Sequence, residues 1–156
     1  MSLLGRPLPP PTHKAMPLER LVSLGMDLES HAPDGAVTPA ALEEFAASEG
    51  IALREAYAAV AFNPNLRFDR PNDAAFTVCS GGCQGYGALE QIDTLLALRS
   101  EREAAGETSF DLCTKTCLDA CDHGPVVAVM TADGGAAKIT KCDSAKLKEA
   151  IEEAVE

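Results

Sequence analysis

Four cysteines, arranged as two close pairs, constrain this chain more than any other feature of its sequence. The pairs are Cys79-Ser-Gly-Gly-Cys83 and Cys117-Leu-Asp-Ala-Cys121. Each pair stands where a predicted strand passes into a loop, so its side chains can leave the sheet and converge. The pattern therefore predicts that two loops at one edge of a sheet bring four thiols together.

Four converging cysteines are compatible with several kinds of site. Zinc takes four thiolates, but structural zinc sites mostly use pairs with about two intervening residues. A [2Fe–2S] cluster also takes four cysteines and tolerates wider spacing. A thiol–disulfide oxidoreductase would need Cys-x-x-Cys, which the sequence lacks. The remaining alternative is a set of buried apolar thiols with no ligand.

The second half of the chain has the pattern of an α/β fold. A short strand, AAFTVC, ends at Cys79, and a glycine-rich turn leads into a long helix. The strands TSFDLCTKTC, GPVVAVM and AAKIT follow, and Asp143 caps a closing helix. The order β-α-β-β-β-α predicts a thioredoxin-like domain over residues 73–156, with a central mixed sheet and flanking helices.

The first half is predicted to be helical after a mobile, proline-rich N-terminus at residues 1–16. In the helical segment 17–72, Thr38 is a predicted N-cap, and Gly50 a predicted helix end. The two helices joined at Gly50 superficially resemble a helix-turn-helix. Arg54 is the only basic side chain on the second of them, so a packing unit is favoured over a DNA reader.

The net charge and the cysteines indicate which partners and which cellular compartment to expect. The formal net charge is −11, which argues against nucleic acid and anionic lipid as partners and suits a basic protein surface or simple solubility. The N-terminus has neither the pattern of a signal peptide nor that of a membrane span. A cytoplasmic protein with reduced cysteines is therefore predicted.

Two motifs carry a resemblance to a known family. FTVCSGGC before a helix, and CLDACDHGPVVAVM further along, resemble the thioredoxin-like [2Fe–2S] proteins. That family includes the E-type (24 kDa) subunit of NADH:quinone oxidoreductase and matching subunits of NAD-dependent formate dehydrogenases and hydrogenases. The segment LEEFAASEGIALREAYAAVAFNPNLRF is similar to the family's N-terminal helical region. The resemblance covers most of the chain.

The resemblance implies that Cys79, Cys83, Cys117 and Cys121 hold one [2Fe–2S] cluster. It further implies one-electron transfer, with the chain as the small subunit of an NAD(P)H-linked flavin-containing oxidoreductase rather than an enzyme by itself. The expected partner is a flavin- and NAD-binding subunit or another redox protein, and a homodimer is the further assembly considered. Two alternatives stay open: a free-standing thioredoxin-like ferredoxin, and a cluster-less or zinc-binding structural or sensing protein.

The chain departs from the family pattern at two positions of the motifs. Its first pair has three intervening residues where the family usually has four, and Asp119 replaces a common glycine between the second pair. A carboxylate there is expected to lower the reduction potential of a cluster.

Three other residues near the motifs are not expected to be ligands. Cys113 is predicted to be a packed core thiol, although on a strand it would share the face of Cys117. Cys142 is predicted to be buried where the last helix begins. His123 is expected to be either exposed or next to the ligands, but not one of them.

Overall fold

The computed structural model describes residues 11–117 and 125–155. It contains five α-helices and six β-strands within those ranges. The helices are α1 (Leu18–Leu28), α2 (Pro39–Glu49), α3 (Leu53–Val60), α4 (Ala88–Ala104) and α5 (Ser144–Val155). The strands are β1 (Ala36–Val37), β2 (Arg67–Phe68), β3 (Ala75–Cys79), β4 (Asp111–Lys115), β5 (Val127–Met130) and β6 (Ala136–Ile139). The protein belongs to the α/β class, as the sequence predicts.

The helix boundaries follow the signals in the sequence. The Thr38 hydroxyl accepts a hydrogen bond from the Ala41 amide (3.1 Å), and Pro39 is the first residue of α2. Gly50 ends that helix in the left-handed conformation (φ 68°), which glycine adopts without strain. At the other end of the chain, the Asp143 carboxylate accepts from the Lys146 amide (2.9 Å) and caps α5.

The main sheet has four strands in the order β4-β3-β5-β6. Strands β3 and β4 are parallel, and α4 connects them, whereas β5 is antiparallel to both β3 and β6. One face of the sheet carries apolar side chains that are all buried against α4 and α5, and these are Phe76, Val78, Leu112, Val127 and Val129. The sheet is therefore mixed, with the order β-α-β-β-β-α that the pattern predicts.

A second, two-stranded sheet was not predicted. Strands β1 and β2 pair in parallel, with Ala36 opposite Arg67 and Val37 opposite Phe68. Each strand has only two residues, which is too short for an alternating pattern to be recognised in the sequence.

The helical segment packs on the main sheet through α3. Arg54, the one basic residue of the helix-turn-helix-like pair, binds Asp93 of α4 (2.8 Å). The Thr114 hydroxyl of β4 donates to the Tyr57 carbonyl (2.6 Å), and the Arg99 guanidinium of α4 donates to the Tyr57 hydroxyl (2.8 Å). These contacts support the interpretation of α2 and α3 as a packing unit.

Tyr57→Phe is expected to lower the free energy of unfolding by about 1–3 kcal/mol, because it leaves the buried Arg99 guanidinium without this acceptor. Urea denaturation measures the change. Thr94→Val is the control, because it also removes a hydroxyl hydrogen bond, but one that lies within α4. An equal loss in the two variants would contradict a stabilising role for the contact between Tyr57 and Arg99.

Candidate functional site

Two of the cysteine-bearing segments meet at one edge of the main sheet. Cys79 is the last residue of β3 and lies opposite Lys115, the last residue of the parallel neighbour β4. Because parallel strands end at the same edge, Cys117, two residues beyond Lys115, leaves the sheet beside Cys79. The Cys79 Sγ lies 3.8 Å from the carbonyl oxygen of Thr116.

The segment Cys79–Cys83, named here the first cysteine loop, lies directly against the end of β4. The Ser80 amide donates to the Lys115 carbonyl (2.8 Å). A Cβ atom at Gly81 would be 2.1 Å from the Thr116 carbonyl oxygen, which is closer than any real contact of a Cβ atom. Glycine is therefore required at this position because the two backbones approach closely, and not because of an unusual φ angle.

Cys83 lies within a short 3-10 helix, Gly82–Tyr86, that precedes α4. Gly87 separates the two helices in a left-handed conformation (φ 103°). The position just before a helix is the one the sequence predicts for Cys83.

The predicted ligands differ in how far they are exposed. Cys79 and Cys83 are 1% and 0% exposed, whereas Cys117 is exposed to solvent. Cys121 and His123 lie outside the described residues. Among residues 11–117 and 125–155, no group of three or more histidine, cysteine or acidic side chains is placed to hold a metal ion. The structure thus brings the first cysteine loop and the Cys117 segment together without showing an assembled ligand set.

Cys113 shares a sheet face with Cys79, because it pairs with Thr77, two residues before Cys79 on β3. Cys113 is buried, as Cys79 and Cys83 are. Burial, the largest effect, raises the pKa of the Cys113 thiol to about 11, so this thiol is protonated at neutral pH in the protein without a metal. The prediction that Cys113 is a buried thiol is confirmed.

Cys142 is also buried, as predicted. Its amide donates to the Pro125 carbonyl (2.9 Å), which places it beside the start of the β5 region. Burial, followed by the charge of Asp143, raises the pKa of the Cys142 thiol to about 12.

Thiol alkylation should separate these cysteines in reduced protein from which metal has been removed. Cys117 is exposed and should react with iodoacetamide near neutral pH. Cys113 should react far more slowly, because it is buried and because a rise in the pKa of its thiol from 9.0 to about 11 lowers its own thiolate fraction near neutral pH about a hundredfold. Peptide mass spectrometry measures the rates. Equal rates for Cys113 and Cys117 in folded protein would contradict this description, and denaturation should abolish the difference.

The sequence did not reveal a contact between the N-terminal segment and the site. The Thr12 and His13 amides both donate to the Gly85 carbonyl (2.8 and 2.9 Å), and the Met16 amide donates to the Gln84 side chain (2.9 Å). The predicted mobile N-terminus, 1–16, therefore includes a part, residues 11–16, that is hydrogen-bonded to the helix carrying Cys83. A proline-rich pattern predicts an extended chain but does not show where it is bound.

Comparison with known proteins does not assign the chain to a group. No protein-family model matches the chain, and neither does any curated protein. The helices that the structure describes are all too short or too polar to span a lipid bilayer. The α/β fold and the meeting of the two cysteine segments are thus the basis for a functional conclusion.

Proposed function

We propose that the protein transfers single electrons through a [2Fe–2S] cluster held by Cys79, Cys83, Cys117 and Cys121, on a thioredoxin-like fold. The observation that carries the proposal is the junction of the first cysteine loop with the end of β4. Its components are the bond from Ser80 to Lys115 and the close approach of Gly81 to Thr116. A four-thiolate cluster requires its cysteines to lie on segments that come together, and the first cysteine loop lies against the segment that leads to Cys117.

The described residues offer the donor chemistry that such a group needs, on segments that lie together. Cys79, Cys83 and Cys117 offer sulfur, the usual donor to iron–sulfur clusters, and all three lie on segments that touch one another. Cys121 is the fourth donor that the sequence supplies. When bound, the cluster would supply reversible one-electron chemistry.

The chain's own residues would control the environment of this chemistry. The burial of Cys79 and Cys83 keeps water away from their sulfur atoms, and solvent access is one determinant of the potential of such a centre. Asp119 adds a negative charge between the second pair of cysteines, which opposes the arrival of an electron. Both features favour a low reduction potential.

An exposed apolar surface supports a protein partner. Leu18, Val22 and Met26 follow one another at four-residue intervals on α1, and all three are exposed. Leu18 also lines a groove of about 170 Å³ that reaches Gly81 of the first cysteine loop. Exposed apolar patches commonly mark interaction sites, so we propose that this surface binds the flavin- and NAD-binding subunit that the family resemblance implies.

An anaerobic reductive titration tests the proposed electron transfer. The visible absorption of the purified protein should bleach with one electron per chain and return on reoxidation. A colourless protein that contains zinc, or one that takes up no electrons after anaerobic reconstitution with iron and sulfide, would overturn the proposal. Co-purification with a flavoprotein would distinguish a subunit of a complex from a free-standing ferredoxin.

A further inference from the structure

Gln84 connects three parts of the chain around the first cysteine loop. Its side chain is 2% exposed. The side-chain Nε2 donates to the Ser80 carbonyl (2.5 Å), and the side-chain Oε1 accepts from the Met16 amide (2.9 Å). The backbone amide of Gln84 donates to the Gly81 carbonyl (3.1 Å). One buried residue therefore holds both the first cysteine loop and the N-terminal segment.

The N-terminal segment, residues 11–16, is held at a second point next to Gln84. The Gly85 carbonyl accepts from both Thr12 and His13. Pro11 lies so close that a Cβ atom at Gly85 would be 3.1 Å from it, and the His13 ring lies against Gly87. These contacts cover the 3-10 helix that contains Cys83.

We propose that Gln84 is a positioning residue, through which residues 11–16 fix the first cysteine loop in the geometry that holds the cluster. The effect of Gln84 on a cluster rests on the proposed function, whereas its effect on the first cysteine loop does not. Glutamine suits this role because it has both a donor and an acceptor at the end of its side chain. Glutamate would keep the acceptor for Met16 and lose the donor to Ser80, and methionine would lose both.

The hydrogen bond from Gln84 to Ser80 is buried, and that from Met16 to Gln84 is partly buried. Water cannot readily satisfy the buried Ser80 carbonyl once the amide group of Gln84 is removed, so that loss carries a desolvation cost, and the partly buried Met16 amide loses its acceptor. The loop and residues 11–16 are consequently expected to loosen together.

The test compares Gln84→Met with a matched control, Gln91→Met. Gln91 lies on α4, and its Oε1 has no hydrogen-bond partner among the residues that the structure describes. In the apoprotein, Gln84→Met should accelerate hydrogen exchange of the Met16 and Ser80 amides by about tenfold, and of α5 amides hardly at all. A tenfold change in the exchange rate corresponds to about 1.4 kcal/mol. The control should leave the exchange rates of the Met16 and Ser80 amides unchanged.

In the cluster-containing protein, the same substitution should speed loss of visible absorption to an iron chelator by about tenfold and should also shift the midpoint potential. Gln84→Glu should accelerate loss as well, because it lacks the donor to Ser80. Faster exchange with an unchanged rate of cluster loss and an unchanged potential would overturn the positioning role.

Two further outcomes keep the inference separate from the proposed function. If the unsubstituted protein binds no cluster, the proposed function fails, and the amide exchange of the apoprotein alone decides whether Gln84 fixes the loop. Unchanged exchange at Met16 and Ser80 would overturn the inference even in a protein that binds a cluster. If Gln84→Met does not fold, Met16→Pro removes the amide donor from the other side, and it should accelerate exchange at Ser80.

Discussion

Gly81→Ala is expected to lower the free energy of unfolding by at least about 2 kcal/mol. The added Cβ atom would be 2.1 Å from the Thr116 carbonyl oxygen, so the first cysteine loop and the end of β4 must move apart. The hydrogen bond from the Ser80 amide to the Lys115 carbonyl opposes that movement. Urea denaturation of the apoprotein measures the loss, and retention of absorption by the purified variant measures the effect on a cluster.

Gly106→Ala is the matched control for this substitution. Gly106 has a φ of 73° and no heavy atom within 4 Å of an added Cβ atom, so the control contains backbone strain without a steric clash. Its expected cost is about 1 kcal/mol. If Gly81→Ala were no more destabilising than Gly106→Ala, the close approach of the first cysteine loop to the end of β4 would be contradicted.

Cys117→Ser is expected to abolish most of the visible absorption of the purified protein, whereas Cys113→Ser should leave the spectrum nearly unchanged. Both cysteines lie on the segment that begins with β4, and the same substitution is made at each. They differ in that Cys117 is exposed beside the first cysteine loop, and Cys113 is buried with a pKa of about 11. Serine oxygen is a poor substitute for the thiolate that a cluster requires.

Substitutions in the first pair complete this comparison. Cys83→Ser should also remove the absorption, since Cys83 is one of the four proposed ligands. Loss of the spectrum in Cys113→Ser together with its retention in Cys83→Ser would show that the proposed ligand set is wrong. Cys142→Ser is a second control, because Cys142 is buried where α5 begins.

Local signals predicted most of the fold. Thr38 and Gly50 bound α2, Asp143 caps α5, and the short apolar strands of the second half lie where their patterns place them. These features depend on residues close together in the sequence, so one chain is enough to recognise them. The thioredoxin-like assignment is more specific than the α/β class and stays a prediction.

Long-range backbone contacts were not predictable. The Gly85 carbonyl accepts from Thr12 and His13, more than seventy residues earlier in the chain. No local sequence signal predicts the hydrogen bonds of the Gln84 side chain to Met16 and Ser80. Such contacts are formed by amides and carbonyls that every residue has, so residue types carry little information about them.

The candidate site was predictable in part. The sequence predicted that the cysteine pairs stand where strands pass into loops, and Cys79 ends β3 while Cys117 lies two residues beyond the end of its parallel neighbour β4. Their role as ligands depends on the resemblance to a family and stays a prediction, as does the role of Cys121, which lies outside the described residues. The close approach of Gly81 to the Thr116 carbonyl was not predicted and emerged only from the fold.

Iron and acid-labile sulfide content, measured on freshly and anaerobically purified protein, decides whether the four cysteines hold a [2Fe–2S] cluster. A single cluster requires two iron and two sulfide ions per chain, and we expect this content in the unsubstituted protein and in Cys113→Ser. Zinc without sulfide, or neither metal nor sulfide after anaerobic reconstitution, would overturn the proposed function.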